Sequence, residues 1–377
     1  MGKLNELEGR GQAVWLDFIE RSFLAEGGLT QLIEVDGVSG VTSNPAIFEK
    51  AIGHGDSYDQ SLAAYDRDHA DSSTIDRYEA MAIEDLGQAA DALRPIYDRL
   101  GGKDGFVSME VSPYIADDTD ETIAEARKLW KALDRPNVMI KIPGTPAGTP
   151  AIAALIADGI NINITLLFGL EAYRKVAETY ALGLEERLRR GQPIDGINSV
   201  ASFFVSRIDG AVDKVIDERV AADDPQSEEL KALRGKVAIA NAKMAYQWYL
   251  DFIRSERWQA LAARGATPQR LLWASTGTKD PDYSDVFYID ALIGADTVTT
   301  IPPKTMDAFR DHGTVADTLT ADVDEARRVL ANTERLGLAL DDTTDRLVRE
   351  GVASFAKSFD DLLAAIGRKQ PKAADTP

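Results

Sequence analysis

No cysteine occurs anywhere in the 377 residues, which excludes disulfides, thiolate nucleophiles and cysteine-ligated metals in one step. Histidine is nearly absent as well. His54, His69 and His312 are the three, and none stands in a pair with metal-ligand spacing or inside a buried apolar run; neither a catalytic histidine nor a histidine-rich metal site is expected. Cations are the minority charge, 42 Lys and Arg against 62 Asp and Glu, for a formal net charge of −20. That balance argues against a nucleic-acid partner and against binding to anionic membrane lipid. It leaves room for a small phosphorylated ligand, which needs only a local set of cationic and amide donors inside a pocket. Apolar runs are short, none approaching the ~20 residues that span a bilayer. The start, MGKLNELEGR, lacks the apolar core of a signal peptide, so a cytoplasmic protein is expected. No glycine-rich dinucleotide or phosphate-loop signature follows any strand-like run.

What is present is an ordinary globular composition, 44% hydrophobic and 28% charged, in a chain of a length that suits one barrel-type domain with insertions. Eight short runs rich in β-branched residues recur in order: AVWLDFI from Ala13, GVTSN from Gly40, FVSMEVS from Phe106, NVMIKIP from Asn137, ININITLLF from Ile160, SVASFFV from Ser199, LLWAST from Leu271 and TVTTIPP from Thr297. Stretches of helical period separate most of them, at Asp76 to Leu100, Asp120 to Leu133, Thr149 to Ala157, Leu170 to Arg190 and Tyr283 to Ile293. Eight strands alternating with helices predict a parallel sheet closed into a (β/α)8 TIM barrel, since open doubly wound sheets usually have fewer strands. Two regions exceed the minimal barrel. Residues 209–264 predict a helical insertion between the sixth and seventh strands, with Val237, Ala240, Met244, Trp248 and Phe252 at helical spacing for packing on the barrel exterior. Residues 305–366 predict further C-terminal helices, and the tail 368–377 is expected to fray. No linker divides the chain, so one domain over 1–377 is expected.

Lys141 is the first unexpected residue, set inside the apolar run NVMIKIP ahead of Pro143 and Gly144. An ammonium taken out of water costs several kcal/mol unless it is paired or loses its proton. Two readings follow: a nucleophilic amine able to form a Schiff base with a carbonyl, or a strand-end lysine that snorkels to solvent.

Other polar residues fall on a strand period, two apart and so on one face. Thr42 and Asn44, Ser108 and Glu110, Asn163 and Thr165, and Ser202 and Phe204 form such pairs, while Asp17 and Lys141 each come late in their strands. In a barrel, the chemistry sits at the C-terminal strand ends, where these residues would converge. Each has a plainer explanation by itself: turn chemistry before Pro45 for Asn44, helix capping for Asp17, strand propensity for Thr165. Glu110, between Met109 and Val111, is harder to explain that way, because a carboxylate in a buried strand needs a partner or a raised pKa.

GVTSNPAIF, SMEVS, NVMIKIPGT, GININITLLF, SVASFFVSRID and LLWASTGTK together resemble the motif series of the transaldolases, in order from about Asp17 to Lys304, and most closely the longer bacterial form of that family. The resemblance implies a class I aldolase type of barrel with extra helices, no metal or organic cofactor, and sugar phosphates as small-molecule partners; a homo-oligomer is compatible with it. It implies that Lys141 is the Schiff-base lysine, Asp17 the general acid/base, Glu110 the carboxylate acting through a water and Thr165 the partner of that water. Asn44, Asn163 and Ser202 would bind substrate hydroxyls, with Thr42 beside them; Arg207 would bind phosphate, and Phe204 would shape the pocket. One departure stands out: many transaldolases present a second phosphate-binding arginine after the seventh strand, where this chain has Ser275, Thr276, Gly277, Thr278 and Lys279. Ser275 and Lys279 are the expected replacements, although lysine lacks the bidentate grip of arginine. The expected activity is transfer of a dihydroxyacetone unit between sugar phosphates in the non-oxidative pentose phosphate pathway. The alternatives are a Schiff-base aldolase that releases free dihydroxyacetone and a catalytically silent sugar-phosphate-binding barrel.

Overall fold

A computed structural model describes residues 2–369. Its centre is a closed barrel of eight parallel strands in sequence order: β1 (Gln12–Leu16), β2 (Gly40–Val41), β3 (Phe106–Glu110), β4 (Val138–Pro143), β5 (Ile162–Leu167), β6 (Ser199–Phe204), β7 (Arg270–Ala274) and β8 (Thr297–Ile301). β8 closes on β1 over five residues, from Gln12 beside Thr297 to Leu16 beside Ile301. The predicted (β/α)8 architecture is the one found. Every residue of β4, β5 and β6 is buried. Side chains fill the lumen and helices cover the outside, which is why these strands read as nearly continuous apolar runs rather than as alternating ones.

Some strands are shorter than their apolar runs. β1 ends at Leu16, leaving Asp17 just beyond it, although the Asp17 N–H still donates to the Ile301 carbonyl at 3.0 Å. β2 keeps only Gly40 and Val41 of GVTSN, because Asn44 already caps the helix Pro45–Gly53. Gly40 has a steric reason: a Cβ there would stand 2.4 Å from the Trp15 ring. β8 stops before Pro302, and Pro303 opens the helix Pro303–His312, where its missing N–H costs nothing.

The helices Thr74–Arg99, Thr119–Leu133, Gly148–Asp158 and Leu170–Arg189 stand close to their predicted places. The helix predicted at Tyr283 to Ile293 shrinks to Phe287–Ala291, the rest being loop. Four helices between β1 and β3, Arg21–Ala25, Gly28–Asp36, Pro45–Gly53 and Asp59–Asp68, were not foreseen. Residues 209–264 form most of four helices, Ser206–Ala221, Ser227–Lys231, Val237–Arg254 and Glu256–Ala262. The main neighbours of Val237–Arg254 are the helices Leu170–Arg189 and Val323–Arg335, so it adds an outer layer to other helices instead of lying on the strands.

Pro303–His312 and Val323–Arg335 are followed by a long last helix, Leu340–Arg368. The fraying expected from Arg368 is not seen at Arg368, which ends the helix, or at Lys369. Lys369 Nζ donates to Asp59 Oδ1 at 2.6 Å and the Lys369 carbonyl accepts from Arg77 Nη2 at 2.8 Å; residues 370–377 of that tail lie outside the described residues. Among the described residues, no helix is long and apolar enough to cross a membrane.

Candidate active site

The register of three adjacent strands places Glu110 on β3 beside Lys141 on β4, and Lys141 beside Asn163 on β5, so all three side chains enter the lumen at one level. Lys141 Nζ lies 3.0 Å from Glu110 Oε2, with the two side chains only 6% and 7% exposed. The snorkelling reading of Lys141 therefore fails. Nζ also donates to the Ser43 carbonyl at 3.2 Å, and that carbonyl is held in place because Ser43 Oγ donates to the Ser108 carbonyl at 2.7 Å. Burial pushes the Glu110 carboxyl above the usual range, while the Lys141 charge opposes the shift.

Asp17 faces the same space from just beyond the end of β1. It accepts from Thr42 Oγ1 at 2.7 Å, and Thr42 Oγ1 lies 2.7 Å from Thr300 Oγ1. With Asp17 ionised, Thr42 gives its one proton to the carboxylate and must receive one from Thr300. Burial raises the Asp17 carboxyl, opposed by Thr42 and by the charges of Lys141 and Lys279. Asp17 caps no helix. Asn44 does, accepting from the Ile47 N–H at 3.0 Å, and it also lines the cavity.

A cavity of about 190 Å³ gathers ten of the twelve expected residues: Asp17, Thr42, Asn44, Lys141, Thr165, Ser202, Phe204, Arg207, Ser275 and Lys279. It is below the roughly 300–1,000 Å³ common for larger ligands and suits a small polar one. The other two lie next to it. Asn163 is fully buried beneath Ser202, accepting from Ser202 Oγ at 2.7 Å and donating to Ser108 Oγ at 3.0 Å; it orients the serine from below and does not line the cavity. Glu110 stands behind Lys141 and lines a separate cavity of about 400 Å³ with Tyr78, Ser112, Glu125 and Lys128, which is roomy and polar enough to hold water.

Thr165 Oγ1 is buried without a partner. The register of β5 against β6 shifts between Ile164 and Leu167, with Leu166 at φ 60°. Such a bulge locally re-aims side chains, and here it lies next to an unsatisfied hydroxyl at the cavity wall.

The chain is strongly acidic, yet three cations, Lys141, Arg207 and Lys279, line this cavity against one lining carboxylate, Asp17. The Arg207 guanidinium lies 5.3 Å over the Phe204 ring and 6.0 Å over the Phe355 ring, and its burial lowers its pKa while the Glu110 charge opposes that. Lys279 is exposed, on the loop after β7. That loop is tied to the helices after β6: Ser275 Oγ lies 2.8 Å from Ser206 Oγ, Asp280 Oδ2 is 2.9 Å from Arg234 Nη2, and Tyr283 donates to Asp213 Oδ2 at 2.8 Å.

Five lining residues had no expected role: Ala274, Gly277, Thr300, Pro302 and Phe355. Thr300 was within reach, being an inward threonine on a predicted strand. Phe355 was not, because Phe355 and Phe359, four apart on a helix, read as an ordinary core stripe.

A barrel whose C-terminal mouth holds a buried lysine paired with a carboxylate, a second carboxylate opposite and cations around a small cavity belongs to the class of lysine-dependent carbonyl enzymes. Comparison narrows the class. Residues 14–366 match the family model described as Transaldolase/Fructose-6-phosphate aldolase. The chain is 45% identical over 373 residues to "Transaldolase" of Trichodesmium erythraeum, covering 98% of each protein. It is 48% identical over 371 residues to "Transaldolase 2" of Nostoc punctiforme, covering 97% of each. With "Transaldolase" of Thermobifida fusca it shares 47% over 369 residues, covering 97% of this chain and 98% of the relative. The chain belongs to the transaldolase/fructose-6-phosphate aldolase family.

Proposed function

We propose that this protein is a transaldolase, transferring a dihydroxyacetone unit from a ketose phosphate such as sedoheptulose 7-phosphate or fructose 6-phosphate to glyceraldehyde 3-phosphate or erythrose 4-phosphate. The observation that carries the reading is the buried Lys141 Nζ, 3.0 Å from Glu110 Oε2 and bordering a cavity that Asp17 also lines. Lys141 attacks the ketone, and water leaves with help from Glu110 and the free hydroxyl of Thr165, giving an iminium. The iminium withdraws electrons from the neighbouring carbon–carbon bond while Asp17 takes the proton of the hydroxyl beyond it. Cleavage releases an aldose phosphate and leaves the three-carbon enamine on Lys141. An incoming aldose phosphate then accepts that carbon and Asp17 returns the proton. The raised carboxyl of Asp17 suits a group that must both take and give a proton.

Arg207 and Lys279 bind the phosphate, with Ser275 beside them, and Asn44 and Ser202 bind substrate hydroxyls; Asn163 acts by holding Ser202. The ties from Arg234 and Asp213 to the loop after β7 keep Lys279 within reach of the phosphate. The reading carries with it a place in the cytoplasm and in the non-oxidative pentose phosphate pathway. Borohydride reduction in the presence of fructose 6-phosphate, followed by peptide mass mapping, tests it: a dihydroxyacetone-derived mass on Lys141 is expected. Folded protein with no adduct on any lysine would sink the Schiff-base account.

A further inference from the structure

The last helix, Leu340–Arg368, runs close above the site. Gly351 meets the β5 bulge so closely that a Cβ there would stand 2.8 Å from Leu166 Cδ2, which fixes the height of the helix directly beside Thr165. One turn later Phe355, only 6% exposed, enters the cavity wall. Its ring centre lies 5.7 Å from Lys141 Nζ and 6.0 Å from Arg207 Cζ. One apolar ring thus covers both the amine that carries the intermediate and a cation placed to hold phosphate.

Such a ring does two things. Its face favours the positive charge of an ammonium or iminium, and its bulk displaces water from the space next to the lysine. The second matters more for the outcome. Between the two half-reactions the three-carbon enamine waits on Lys141 for an acceptor. If water arrives first, the enamine carbon takes a proton, water adds to the iminium carbon and the carbon–nitrogen bond breaks. Free dihydroxyacetone and the lysine amine result, with no oxidation or reduction. Transfer wins only where water is kept away.

We propose that Phe355 is the specificity-determining residue that shields the lysine-bound three-carbon unit from water and so sets transfer over release of free dihydroxyacetone. The inference rests on the transaldolase reading above. It assigns the last helix a chemical task, that of a roof over the nucleophile, in addition to its packing role. Phe204, whose ring also lies against the Arg207 guanidinium, lines the same cavity from the end of β6.

The test measures two rates on each folded variant: dihydroxyacetone released from fructose 6-phosphate without acceptor, and transfer to glyceraldehyde 3-phosphate. Phe355→Ala is expected to raise release per transfer about tenfold, equivalent to ~1.4 kcal/mol in the competing barriers. Phe355→Leu, which keeps an apolar cover and most of the packing, is expected to stay near the parent ratio. Leu362→Ala, fully buried on the same helix but away from the cavity, is expected to lower stability and leave the ratio unchanged. An unchanged ratio in Phe355→Ala, or an equal rise in Leu362→Ala, overturns the proposal. If Phe355→Ala does not fold, Phe355→Val, which keeps a smaller apolar side chain, replaces it: a rise in the ratio over Phe355→Leu supports the proposal and an unchanged ratio overturns it. Failure of the transaldolase reading itself is distinguishable: the parent protein would then transfer nothing, with a borohydride adduct in the case of an aldolase and none in the case of a silent barrel.

Discussion

Two ion pairs in this protein look alike on paper and differ in what surrounds them. Arg21 and Asp85 meet at 2.7 Å, and Lys141 and Glu110 at 3.0 Å. Around the first pair nearly everything is satisfied: Asp85 accepts from Arg21 Nε at 2.9 Å and from Tyr58 at 2.7 Å, Glu84 lies 2.8 Å from Arg21 Nη2, and the Arg21 ring-like fork packs over Tyr58. Around the second, capacity is left over. Thr165 Oγ1 has no partner, Glu110 Oε2 receives no directed hydrogen bond, and cavities lie on both sides of the pair. The saturated pair fastens the helix Thr74–Arg99 to the segment after β1. The unsaturated pair between two cavities has the spare bonding capacity that the proposed chemistry at Lys141 requires.

The comparison breaks most directly at Lys141. Lys141→Ala is expected to lower transfer by roughly 10⁴-fold or more, since a nucleophile and its partners act as a unit. Substantial turnover in steady-state assays would remove the distinction between the pairs.

Asp85→Ala should produce the reverse pattern. Removing one partner of a buried pair leaves an uncompensated charge, at a cost of about 3–5 kcal/mol, read as a lower denaturation midpoint with kcat of the folded fraction retained. A loss of kcat at unchanged stability would place Asp85 in the chemistry instead.

The same carboxyl gives a pH signature. Burial raises Asp85 to about 6, even against Tyr58 and Arg21. The folded state therefore binds this proton more tightly than the unfolded state. Stability from this group is full below the ordinary aspartate range and falls as pH rises through about 6. Asp85→Asn should flatten that part of the stability profile measured by denaturant midpoints; an unchanged slope would show that the carboxyl is not raised.

The smallest effect is expected at the rim. Lys279→Ala should raise KM for phosphorylated substrates by about tenfold while kcat changes little, the pattern for loss of uniform binding. An unaltered KM would leave Arg207 as the phosphate ligand without Lys279.

Much of the site was legible from residue order because strands encode faces: once Glu110, Lys141 and Thr165 are placed on strands, the pleat sends them inward. Thr42 and Asn44 reached the cavity for another reason, since β2 ends at Val41 and they arrive through the turn into a capped helix. Asn163 shows the limit of the same logic. Its face was right and its reach was not: at the same level the long Lys141 side chain extends into the cavity, while the short amide of Asn163 ends beneath Ser202.

By itself the sequence determined the barrel, the inward set of polar residues and the family, because alternation of strand and helix and the period of two are local properties of the chain. Tertiary structure alone decided what stands over and behind Lys141. Phe355 comes from a helix more than 200 residues away, and Glu110 opens on a second cavity built from the helices Thr74–Arg99 and Thr119–Leu133. Neither follows from any local pattern, since each depends on how distant helices close over the strands, and that is set by side-chain packing across the whole fold.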